Sequence, residues 1–119
     1  MQDRIQFIQT FQRRTKQQAI SALAVYKSLP KTEEGRIIGK QFLRAALSIG
    51  ANYRAACRAR SKAELFSKLS ITVEEADEVL YWIEIMEEAK MVRSADVKNF
   101  YKEASEILAV LSTARKNAR

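Results

Sequence analysis

The chain has 119 residues, 47% of them hydrophobic, with one Pro and three Gly. That composition is neither fibrous nor disordered, and the length suits a single domain, residues 1–119, with one core. Lys and Arg outnumber Asp and Glu by 21 to 14, giving a net charge of +7. No uncharged run approaches the roughly 20 residues that span a bilayer. The start MQDRIQFIQT has no apolar signal core, and the lone Cys57 cannot form an intrachain disulfide. A reduced, cytoplasmic setting is expected.

Punctuation predicts four helices in chain order. Asp3 opens the first with a D-x-x-Q start, and Pro30 closes it after Leu29. Thr32 is positioned to cap the second, with Glu33 and Glu34 in its positive first turn. Ser61 and Glu64 read as a capping box, S-x-x-E, for the third, and Ser94 followed by Asp96 starts the fourth. The short links force neighbouring helices antiparallel, so the fold class is all-α, an antiparallel up-down-up-down four-helix bundle. No alternating run or hairpin turn suggests a strand.

The core stripes follow from spacing. The first helix offers Ile5, Ile8, Phe11, Thr15, Ala19, Ala22, Tyr26 and Leu29, and the fourth offers Val97, Phe100, Ala104, Ile107, Leu111 and Ala114. In the second helix Ile38, Phe42, Ala45, Ile49 and Ala56 share the core face. Arg36, Lys40, Arg44, Arg54 and Arg58 share the opposite side, a basic stripe about 33 Å long. Gly is unfavourable in a helix interior, so Gly35, Gly39 and Gly50 point to close backbone packing, with Ala46-x-x-x-Gly50 as one such surface. Asn52, at the edge of the core face, is either a specific polar contact or a hydrogen-bond partner of a neighbouring helix.

The third helix has Leu65, Leu69, Val73, Ala76, Leu80 and Ile83 as its core stripe. A second apolar face, Ile71, Trp82 and Ile85, lies among Glu75 and Glu78 and would be exposed in a monomer. That face is expected to form an oligomer interface.

Charge is unevenly placed along the chain. Residues 1–62 hold 13 Lys/Arg against 3 Asp/Glu, whereas residues 63–92 hold 2 against 8. The first block suits a polyanion. Catalysis is not expected. Without His there is no Ser-His or Cys-His pair and no Glu-x-x-His di-iron site. No phosphate-binding glycine loop or CxxC pair occurs, and neither a cofactor nor a metal is implied. The Glu74, Glu75, Asp77, Glu78 cluster spreads around its helix, which suits solvation better than cation binding.

The runs RAALSIGANYRAACRARSKAELFSKLSI and EEADEVLYWIEIMEEAKMV resemble the four-helix-bundle proteins encoded in intervening sequences of 23S ribosomal RNA genes. The resemblance extends from about Ala24 to Lys116 and is most specific at Ser48–Tyr53, Ser61–Phe66 and Tyr81–Trp82. It implies an antiparallel bundle assembled into a ring, typically a homopentamer. It also implies kinship with the accessory proteins of diversity-generating retroelements, basic pentamers that bind nucleic acid and a reverse transcriptase. The resemblance supplies no catalytic residues. Ala55 and Arg60 stand where many relatives carry acidic residues, which makes this chain more basic.

Two functions fit these features. In one, the protein is a nucleic-acid-binding homo-oligomer whose contacts are Arg36, Lys40, Arg44, Arg54 and Arg58, reading phosphate rather than base. In the other, it is a structural or adaptor oligomer whose basic second helix pairs with the acidic third helix of a neighbour or of a protein partner.

Overall fold

A computed structural model describes residues 2–119. Four helices account for almost all of them: α1 (Gln2–Ser28), α2 (Glu33–Ala56), α3 (Lys62–Glu88) and α4 (Ser94–Asn117). They pack in cyclic order, α1 on α2, α2 on α3, α3 on α4 and α4 back on α1. The result is the expected antiparallel four-helix bundle, 47 × 23 × 18 Å. No helix among the described residues is long and apolar enough to cross a membrane.

The helix ends show how local chemistry sets the boundaries. Thr32 has extended backbone and its hydroxyl accepts the Gly35 N–H at 3.1 Å, as a cap should. Ser61 likewise accepts the Glu64 N–H at 3.0 Å. Only half of the predicted box forms, because the Glu64 carboxylate turns to Arg60, 3.7 Å away. Asp3 lies inside the first turn of α1 rather than ahead of it. Ser94 is the first residue of α4, and the cap position belongs to Arg93, whose guanidinium instead holds Asp96 at 3.0 and 3.2 Å.

The core is one continuous cluster built from the predicted stripes. Phe42, Ile83, Met86, Ile107 and Leu111 are its largest fully buried side chains. Three assignments on α1 change: Ile5 is exposed, while Gln18 and Val25 are buried. Gln18 tolerates burial by donating to the Phe100 carbonyl at 3.4 Å. On α3, burial extends to Thr72, Val79 and Met86, so its apolar arc is wider than a single stripe.

The small residues of α2 bring α1 close. A Cβ at Gly39 would lie 2.9 Å from Leu29 Cδ1 and 3.0 Å from the Tyr26 ring. One at Gly50 would sit 3.4 to 3.6 Å from Thr15. The opposite seam is looser. Between α1 and α4 runs an open groove of about 850 Å³, with Phe100 at its wall. Arg14 reaches across, bonding Glu103 at 2.6 and 2.8 Å and Glu106 at 2.8 Å.

Candidate nucleic-acid interface

All five cations predicted on α2 are exposed, but they differ in their neighbours. Arg36 lies near the start of α2 and donates to the Lys31 carbonyl at 3.0 Å. Arg44 leans toward α3 and pairs with Glu78 at 2.7 Å, so its charge is already answered within the chain. Lys40 lies between them in sequence and, among the described residues, has no ion pair. Because α2 ends at Ala56, Arg58 sits in the following turn rather than on the helix.

Arg54 and Arg58 belong to a different arrangement. They line a groove of about 620 Å³ between α1 and α2, together with Arg13 and Lys16 of α1. Leu47, Gly50 and Ala51 contribute its apolar wall, and Gln9 and Gln12 its neutral polar rim. No carboxylate lines it. Gly50 has a second consequence here: with no side chain between the helices, cations from both stand around one depression.

Sequence spacing on α2 alone missed Arg13 and Lys16. A usable signal was present in the antiparallel pairing across the short 29–32 link. Each step back along α1 matches a step forward along α2, as the Tyr26–Gly39 and Thr15–Gly50 contacts do. Continuing that register brings Arg13 and Lys16 alongside the C-terminal turns of α2.

The groove belongs to a strongly basic half of the bundle. Antiparallel packing gathers residues 2–16, 50–71 and 108–119 at one end. Those segments hold 12 Lys/Arg against 2 Asp/Glu, and the remainder holds 9 against 12. The long-range field is therefore polar along the bundle axis, with Arg115 and Lys116 of α4 contributing alongside Arg54 of α2.

The second apolar face of α3 is only partly exposed. Ile71 is 50% exposed, whereas Trp82 and Ile85 are half-buried, and Trp82 packs against the core. Polar contacts with α2 tie down this edge of α3: Asn52 donates to Glu75 at 2.5 Å, and Arg44 shares Glu78 Oε2 with the Trp82 indole N–H. Asn52 is therefore a link between helices. Tyr81, 53% exposed and edge-on to Trp82, joins Ile71 as an outward apolar group that the spacing did not single out.

Cys57 is a free, exposed thiol beside Tyr53. Burial, and then the neighbouring Cys57 sulfur, pushes the Tyr53 phenol well above its ordinary range. Its ring packs edge-on to Phe11 at 4.8 Å, which is a structural role. Among the described residues, no group of three His, Cys, Asp or Glu side chains could hold a metal ion.

The geometry defines a class, a basic antiparallel four-helix bundle with its charge gathered at one end. Residues 9–113 match the model of the 23S rRNA-intervening sequence protein family, and the chain belongs to that family. It is also similar to a crystal structure of a protein of unknown function from the S23 ribosomal protein family of Bacteroides thetaiotaomicron VPI-5482. That likeness has 28% identity and a TM-score of 0.84, and it covers 92% of this chain and 97% of the other. Comparison with curated proteins gives no match.

Proposed function

We propose that this protein is a non-enzymatic homo-oligomer that binds the phosphate backbone of nucleic acid through the cationic groove between α1 and α2. One observation carries the reading: Arg13, Lys16, Arg54 and Arg58 surround a single groove that no carboxylate lines. Long cations in such a place neutralise phosphates and release counterions without reading bases, so binding is steeply salt-dependent and largely independent of sequence. Lys40 extends the contact along α2, and Arg36 lies at its far end. Arg44 contributes least, because Glu78 already holds it.

Assembly multiplies the effect, since every subunit of a ring presents a groove. The outward side chains of α3, Ile71 and Tyr81 over half-buried Trp82 and Ile85, provide an apolar contact surface. A pentamer is the state implied by resemblance to the 23S intervening-sequence proteins and the retroelement accessory proteins. The same surface supports a second reading. Exposed Glu74, Asp77, Glu84 and Glu88 accompany Tyr81 on α3, and this acidic face complements the basic α2 of a neighbour in an adaptor oligomer.

Light scattering and RNA and DNA titrations across a salt series, on the same preparation, test the proposal. It expects a mass above the monomer and an affinity that falls steeply with salt. A monomer contradicts the assembly, and failure to bind either polymer contradicts the nucleic-acid reading.

A further inference from the structure

The first turns of α1 and the last turns of α4 form an apolar cleft of about 470 Å³, lined by Phe7, Ala109, Val110, Thr113, Ala114 and Asn117. Phe7 is 54% exposed, an unusual place for so large an apolar side chain. Its ring is held in register with the core. It lies parallel to Phe11 with centroids 6.1 Å apart, and buried Phe11 is in turn edge-on to Tyr53. Phe7, Ala114 and Asn117 also border a second depression of about 790 Å³, whose lining includes Arg4, Arg60 and Lys62. The apolar cleft and the cationic one thus adjoin, sharing three residues.

We infer that this basic end takes an unpaired nucleotide of a nucleic-acid strand, with the base against Phe7 and the adjoining phosphates at Arg4 and Lys62. The inference rests on the nucleic-acid reading above and adds a structural selectivity that the α1–α2 groove lacks. Every base has a π-face that stacks on an aromatic ring, whatever its sequence. The Thr113 hydroxyl and the Asn117 amide supply a donor and acceptors at the rim, suited to a base edge. A base within a duplex is stacked on both faces and cannot enter the cleft, whereas one in an overhang or a loop can. The groove at Arg13, Lys16, Arg54 and Arg58 has no aromatic lining and reads phosphate alone. Together the two regions describe a surface for a junction between paired and unpaired strands.

The test compares a blunt RNA duplex with the same duplex bearing a short overhang that contains 2-aminopurine. Wild type should bind the overhang probe more tightly and quench its fluorescence. Phe7→Ala should lose roughly 5- to 150-fold on the overhang probe, the usual range for one stacked base, and keep its affinity for the blunt duplex. Phe7→Tyr should retain both affinities. Equal wild-type affinity for the two probes, with no quenching, overturns this inference while leaving the backbone reading intact. Binding to neither probe overturns both. A fall in oligomer mass on Phe7→Ala would assign the cleft to a second copy of the chain and would also overturn the inference.

Discussion

The Arg44 guanidinium donates to Glu78 Oε2 at 2.7 Å, and the same oxygen accepts the Trp82 indole N–H at 3.0 Å. One carboxylate therefore fixes a cation of α2 and satisfies the polar end of the chain's single Trp. The Arg44 side chain is 55% exposed and that of Glu78 32%, so solvent screens the pair. Arg44→Ala should cost under about 1 kcal/mol in urea unfolding, while Trp82 emission shifts as Glu78 loses its second partner. A cost of several kcal/mol, or an unchanged emission spectrum, would contradict this geometry.

The start of α3 separates two effects that a full capping box would combine. Ser61→Ala removes the acceptor of the Glu64 N–H and should cost about 1 kcal/mol. Glu64→Ala should have a much smaller effect, because the carboxylate faces exposed Arg60 at 3.7 Å rather than the Ser61 backbone. Denaturant midpoints of the two variants should therefore differ. Equal losses would restore the reciprocal box.

The end of α3 is strained at one residue. Lys90 adopts φ 58°, the left-handed region, so that its N–H reaches the Glu87 carbonyl and that of Met91 the Met86 carbonyl. Glycine normally fills this position of a Schellman motif, since a side chain costs about 1–2 kcal/mol there. Lys90→Gly should raise the thermal midpoint, with a gain on the order of 1 kcal/mol, and Lys90→Val should lower it. A destabilising glycine would contradict this account of the turn.

Tyr53 gives the fold a limit at high pH. Its phenol is raised by burial above the ordinary value near 10, so the unfolded chain loses this proton first. The associated stability is complete below about pH 10 and declines as pH rises above it. Tyr53→Phe should remove that contribution, giving a shallower fall in unfolding free energy between neutral and strongly alkaline pH. Parallel profiles for wild type and variant would show that Tyr53 ionises as readily folded as unfolded.

The four helices were legible because their punctuation is local: Pro30, Thr32 and Ser61 each act within one turn of their own position. Most of the core stripes were legible for the same reason; Ile5, Val25 and the wider arc of α3 departed from them, as did Gln18, whose burial depends on a carbonyl of α4 that no periodicity reveals. The candidate site was read less completely. Arg44 and Arg54 look alike from α2 alone, since the register of α3 decides that one meets Glu78, and the register of α1 decides that the other meets Arg13 and Lys16. Net charge by sequence block concealed the basic end in a similar way. Its members come from all four helices and meet only through antiparallel folding.

That distinction between arginines also provides the decisive measurement. Nucleic-acid affinity should be followed across a salt series for wild type and for two variants that remove comparable charge, Arg13→Ala/Lys16→Ala/Arg54→Ala/Arg58→Ala and Arg36→Ala/Lys40→Ala/Arg44→Ala. The groove variant should lose most of the affinity, and its slope of log affinity against log salt should shrink by somewhat under about one unit per lost contact, equally for unrelated sequences. The second variant should lose much less, with Arg44 contributing almost nothing, and both should keep the wild-type oligomer mass. Equal losses from the two variants, or full affinity in the groove variant, would contradict a phosphate-binding groove between α1 and α2.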